Sequence, residues 1–180
     1  MSDVTKPVNV VNIPSGYRTA GIVFDGNFGY VAVGDSGMSV YNLTNPAAPT
    51  LAGRIVTTGR AAFVSYGAVT VSGSPVGHIF VSNRGTSSGL SALNVSTPAT
   101  PTLSSFLSAN KAATGTAYTP FYSNGKVYIA YGSAGLRIVD VSNPAGPTLV
   151  STTILGGDSR SVAVSGTTAF VAARDSGVFV

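Results

Sequence analysis

The chain has 180 residues and a net charge of +4, yet only 9% of its residues are charged. Its length fits one domain with a core large enough to need no staples, and without cysteine there is no disulfide framework and no thiol chemistry. The ten cations are scattered singly among six aspartates and no glutamate, with no basic run or aromatic-interleaved patch, so nucleic-acid binding is not expected.

No stretch holds eighteen uninterrupted apolar residues, so no transmembrane helix is expected. Residues 8–13 are broken by Asn9 and Asn12 and do not form a signal-peptide core. A low-charge composition rich in Ser, Thr and Gly suits an extracellular, cell-surface or virion protein whose leader has been removed or which leaves the cell by another route.

Taken in chain order, the pattern is short strands separated by turns. Residues 20–24 and 28–33 flank Asp25-Gly26-Asn27, a hairpin signal. A second turn at 34–37 leads to strands at 38–43 and 50–56. The next unit, near 60–107, is the longest, and its surplus lies in two polar stretches at 72–77 and 82–88 that read as loops. His78 is expected to open a strand at 78–81. Residues 108–116 read as a connecting loop. Beyond it, strands at 121–122 and 127–129 flank the Ser123-Asn124-Gly125 turn. A strand at 136–141, stopped by Ser142-Asn143-Pro144, leads to another at 148–150. The last unit has strands at 161–164 and 169–172, then a turn at 174–177 and a stub ending at Val180.

These units are copies of one another. Residues 37–51 read GMSVYNLTNPAAPTL, 89–103 GLSALNVSTPATPTL and 135–149 GLRIVDVSNPAGPTL. Their leading glycines, with Gly177, stand 52, 46 and 42 residues apart. A repeat of about 40–50 residues with four strands marks the blades of a β-propeller. Residues 2–11 resemble the piece missing after Val180. The expected fold is therefore an all-β propeller of four blades, with the N-terminal strand completing the last one and leaving no free edge. The blades are placed at 15–57, 58–108, 109–155 and 156–180 plus 1–14. Closure within one chain, closure by end exchange between two copies, or continuation into a longer chain all remain open.

The run from Leu136 to Pro144, and the unit 161–172 that precedes a similar segment, resemble the bacterial and archaeal repeats named for their Leu-Val-Ile-Val-Asp run. This LVIVD resemblance implies a β-propeller, often on cell-surface or secreted proteins, with no shared catalytic residue. Such repeats usually build rings of more than four blades.

No catalytic, metal or cofactor site is expected. His78 is the single histidine, and with no Cys or Glu it forms no ordinary zinc site. Residues 85–89 satisfy the G-x-S-x-G pattern, but the nucleophile elbow needs a strand-to-helix turn and this segment lies between strands. Asp25, Asp35 and Asp175 fall at turns, where aspartate bonds its own backbone. Asn42-Leu43-Thr44 and Asn94-Val95-Ser96 match the glycosylation pattern, yet both occupy one position of the repeat.

The binding candidates lie at strand entrances and loops. Arg18, Arg60 and Arg160 stand at or just before the first strand of their units, where a propeller borders its channel, and suit an anion such as an acidic glycan or a partner's carboxylate. Tyr17 and Tyr118, near strand ends, suit sugar stacking or partner contact. The 82–88 segment adds Asn83 and Arg84. The function expected is a non-enzymatic binding or structural module that presents loops to a protein or glycan partner, as a homo-oligomer or part of a larger assembly. A lectin-like carbohydrate-binding propeller is the alternative, and a glycan hydrolase domain the third reading.

Overall fold

The structure, a computed structural model, describes residues 9–109 and 116–180. It is all-β apart from a three-residue 3₁₀ turn at Arg174–Ser176. The first sheet contains β1 (Gly21–Asp25), β2 (Phe28–Ala32), β3 (Met38–Asn42) and β4 (Thr50–Ile55). The second contains β5 (Arg60–Val71), β6 (Ser74–Arg84), β7 (Gly89–Asn94) and β8 (Thr102–Ser108). The third contains β9 (Pro120–Ser123), β10 (Lys126–Ala130), β11 (Leu136–Asp140) and β12 (Thr148–Thr153). The fourth has three strands among the described residues, β13 (Ser161–Ser165), β14 (Thr168–Ala172) and β15 (Val178–Phe179). Every sheet is an antiparallel meander in chain order, and the fold is propeller-like. The predicted N-terminal strand falls largely on residues 1–8, outside the described residues, and 9–11 carry no strand.

The proline segments act as predicted. Each follows a third strand and closes a turn in which the residue before proline accepts a hydrogen bond three residues on: Ala48 N–H to Asn45 O, Thr100 to Thr97 and Gly146 to Asn143. The residue ending each third strand caps the turn with its own side chain. Asn42, Asn94 and Asp140 accept from the backbone N–H of Thr44, Ser96 and Ser142 at 2.9 Å. Ser142 also donates its hydroxyl to Asp140, and these bonds hold that carboxyl below its ordinary range. The glycosylation-like spelling is thus the spelling of a side-chain-capped turn. The third-to-fourth strand register shifts at the same place in three sheets, after Val40, Ala92 and Ile138.

Two sequence expectations are corrected in the second sheet. Residues 74–77 and 82–84 are strand rather than loop, and 85–88 remain a turn: β5 and β6 form one long hairpin. Its turn is only Ser72-Gly73, both with positive φ (51° and 82°). Two successive left-handed residues match the twist of a two-residue hairpin, so polar residues that read as a loop extend the ladder instead. His78 accordingly lies in the middle of β6, paired with Gly67 and Asn94, rather than opening a strand.

The sheets pack in chain order through their first strands: β1 on β5, β5 on β9, and β9 and β10 on β13. Side chains alternate across each sheet, so one face serves the preceding neighbour and one the following neighbour. Tyr30, Met38 and Val40 of the first sheet pack with Val64, Ile79, Val81 and Leu93 of the second. Phe80 and Leu90, on the second sheet's other face, pack with Val127, Ile129 and Val139 of the third. Tyr128, Leu136 and Ile138 do the same against Val162 and Val171 of the fourth. Tyr30, Phe80 and Tyr128 occupy one position of the repeat, each in the second strand and aimed at the next sheet. Phe80 stacks on Tyr122 with ring centroids 5.4 Å apart and planes 6° apart.

Outer strands meet the next sheet's proline turn. Ser105 of β8 donates to Pro144 O at 2.5 Å. Gly53 occupies the equivalent place in β4, and a Cβ built there would lie 2.6 Å from Ala99 O and 2.7 Å from Pro98 O. Gly53→Ala must therefore push two sheets apart. We expect it to cost roughly 1–3 kcal/mol, the usual cost of overpacking, read as a lower urea midpoint at an unchanged denaturant slope. An unshifted midpoint would show that this joint carries no packing constraint.

Candidate functional site

Two of the arginines flagged in the sequence, Arg18 and Arg60, hold one position of the repeat, and Arg160 lies two residues beyond that position in its own sheet. Ala20, Tyr118 and Arg160 donate their N–H to the ends of the adjoining second strands, at Ala32 O, Ala130 O and Ala172 O. Single bridges join Gly34 to Ala61 and Gly132 to Ser159, carrying the chain from one sheet to the next. By these bonds Arg18, Arg60, Thr116 and Asp158 hold one position, at the entrance of the first strand of their sheets; Arg60 is itself the first residue of β5.

Arg18, Arg60 and Arg84 line a single hollow of about 360 Å³ with Thr19, Ala20 and Phe63. Arg60 and Arg84 are direct cross-strand partners in the β5–β6 ladder. Like charges directly opposite repel. Among the described residues the ion pairs involve Asp158 with Arg160 and Arg174, so no carboxylate offsets Arg18 or Arg60.

Beside the hollow, Tyr118 is the hub of a second group. Its ring lies 6.1 Å from that of Phe63. The Arg84 and Arg160 guanidinium groups stand over it, 4.9 and 4.2 Å from its centroid. Arg160 donates to the Tyr118 hydroxyl and pairs with Asp158, which also lies 3.6 Å from Arg174. Arg160 Nε is buried with no partner among the described residues. One aspartate thus stands among five arginines, and the arrangement is suited to receive an anion in a partly enclosed setting, where charge is poorly screened.

The other sequence candidates lie elsewhere. Tyr17 is exposed and faces Arg54, whose guanidinium is 5.3 Å from its ring and 3.5 Å from its hydroxyl. Asn83 is fully buried; its amide donates to Val81 O and to Ser91 Oγ at 2.7 Å. It braces β6 against β7 and does not reach the hollow. Asp158, Arg174 and Phe63 complete the group and were not singled out in the sequence. For Asp158 the only signal was its repeat position, shared with Arg18 and Arg60.

His78 and Ser87 do not meet. Five residues of strand separate His78 from Asn83, and residues 85–89 lie beyond that, on the order of 16 Å away at 3.3 Å per residue. His78 is buried, bonded through Nδ1 to Val76 O at 3.0 Å and stacked beside Phe80. Burial, with the nearby Asp25 carboxylate on the first sheet, holds the Tyr66 hydroxyl above its ordinary value. Burial, with the nearby Asp25 charge, pushes Tyr30 up to about 12.

This architecture defines a class, an all-β repeat protein of propeller-like fold. An LVIVD repeat profile matches residues 18–57, 123–153 and 156–180, more than half of the chain. The chain belongs to the LVIVD repeat family. The match passes over the second sheet, where the long β5–β6 hairpin departs from the repeat. Among solved structures it is similar to the computationally designed Ika4 protein, with a TM-score of 0.66 at 8% identity over 97% of each chain. It is also similar to the computationally designed Ika8 protein, with a TM-score of 0.64 at 10% identity over 89% of this chain. The chain spans only 44% of Ika8. At such identities these likenesses show the fold alone. No match is found among curated proteins.

Burial holds the His78 imidazole below its ordinary 6.5. Between the ordinary value and the lowered one the unfolded chain takes up a proton that the folded chain refuses, so stability falls as pH drops below about 6.5. The melting temperature is expected to fall between pH 7.5 and 5.5 in the native chain and to fall less in His78→Gln. Equal slopes in the two proteins would exclude His78 as the group responsible.

Proposed function

We propose that the chain is a non-catalytic binding module in which each sheet is a propeller blade. Its four sheets are four successive blades. The rim where the first strands begin receives a carboxylate-bearing partner, an acidic protein segment or an acidic glycan. The observation that carries this reading is the Arg60–Arg84 cross-strand pair beside Arg18, three cations around one hollow with a single nearby aspartate already engaged. A bound anion would relieve that repulsion and accept from fork-shaped donors. The rigid scaffold makes such recognition cheap in entropy, since the arginines sit at strand ends rather than on long loops.

A lectin-like reading has one supporting observation, the exposed ring of Tyr17 beside Arg54. Tyr118 supports it poorly, because its ring is buried and occupied by guanidinium groups. A surface, extracellular or virion setting fits a charge-poor module of this kind.

Calorimetric titration with a galacturonate oligosaccharide, an aspartate-rich peptide and a neutral oligosaccharide tests the reading. One of the two anionic probes should bind, more weakly at higher salt, and Arg60→Ala with Arg84→Ala should weaken it at least tenfold. Binding of the neutral sugar alone, or anion binding indifferent to the double substitution, would sink it.

A further inference from the structure

We infer that a second copy of this chain packs against both ends of the sheet stack, so that two chains close head to tail into one ring of eight sheets. The inference rests on the same reading of sheets as blades, but it does not involve the arginine hollow. Its failure and that of anion binding are therefore separable.

The argument begins with the repeat. Tyr30, Phe80 and Tyr128 each point from a second strand into the following sheet, and the first two are fully buried there. Phe170 holds the same position in β14. It pairs with Ala163 as Tyr30 pairs with Val23 and Tyr128 with Phe121. Yet Phe170 is 41% exposed. Val178 pairs with Ala172 as Met38 pairs with Ala32 and Leu136 with Ala130. Met38 is fully buried, whereas Val178 is 64% exposed. The following-sheet face of the fourth sheet is therefore built for a neighbour that the described residues do not bring to it.

The first sheet shows the complementary defect. Ile22 and Phe24 of β1 point away from the second sheet, at positions equivalent to Val162 and Val164, which pack on the third. They are 54% and 58% exposed. Beside them lies an apolar hollow of about 490 Å³, lined by Ile13, Ile22, Phe24, Val31, Tyr41 and Leu43. In the second and third sheets the corresponding face, around Ile79 and Val81 or Val127 and Ile129, receives the aromatic of the preceding sheet. One end thus offers the projecting aromatic and the other the recess that takes it.

Among the described residues the two ends do not cover each other, as the exposures of Ile22, Phe24, Phe170 and Val178 show. The same placement of four sheets also superposes on less than half of Ika8, so it is compatible with more sheets following in the same sense. A second copy offers the needed sheets in the needed order. Sheet four of each chain faces sheet one of its partner, which gives a two-fold assembly with two identical junctions and no unmatched face. Burying both faces removes from water an exposed apolar patch of a kind that monomers avoid.

Light scattering on the purified 180-residue chain tests this. The expected mass is about 36 kDa, twice the chain's 18.0 kDa. Phe170→Asp and Ile22→Asp should each yield a folded species of 18.0 kDa, with far-UV circular dichroism unchanged because both residues are already exposed within one chain. Mixing the two variants should restore the doubled mass in part, since a mixed pair keeps one junction free of substitutions. A native mass of 18.0 kDa, an open series of larger masses, or a dimer indifferent to both substitutions would overturn the inference.

Discussion

One packing relation organises this molecule: in each of the first three sheets an aromatic from the second strand fills the space against the next. It works because a strand alternates its side chains between two faces with a period of two. In β2, Tyr30 serves the following sheet while Val31 serves the opposite face; in β6 the same division falls on Phe80 and on Ile79 with Val81. A one-residue slip in any of these strands would turn the aromatic to the wrong side and leave two sheets without a joint. The capped proline turns and the repeated bulge after Val40, Ala92 and Ile138 keep that register. The contacts of Gly53 and Ser105 with neighbouring proline turns lock the outer strands to it.

The arginine group is a by-product of the same repetition. Repeat proteins bring equivalent positions together, so residues some 40 apart in sequence become neighbours at one rim. At three of four equivalent places the chain carries a charge, Arg18, Arg60 and Asp158, and Arg84 and Arg160 join them from adjacent positions. Tyr118 lets two guanidinium groups approach each other by giving both a π face. The rim is thus both crowded and net positive, which is the physical basis for reading it as an anion-receiving surface. The end faces of the stack are a different matter. Their exposure follows from the same aromatic joint left without a counterpart among the described residues.

Much of this was legible in the sequence because it is local or periodic. Hairpin dipeptides, proline punctuation and β-branched runs determined the strands; recurrence of GLRIVDVSNPAGPTL-type segments determined that the strands form repeated sheets and that Arg18, Arg60 and Arg160 stand at strand entrances. Only the tertiary structure decided what depends on partners distant in the chain. The Ser72-Gly73 turn reads as loop until the ladder from Ala68 to Gly77 is seen to continue through it. Asn83 reads as an exposed loop residue until β7 covers it with Ser91. Asp158 carries no motif of its own, because its meaning comes from Arg160 two residues on and from Arg174, which the last turn brings back to it. Sequence pattern fixes the face on which a side chain lies; whether that face meets another sheet, a charge or open water is set by how the sheets stack on one another.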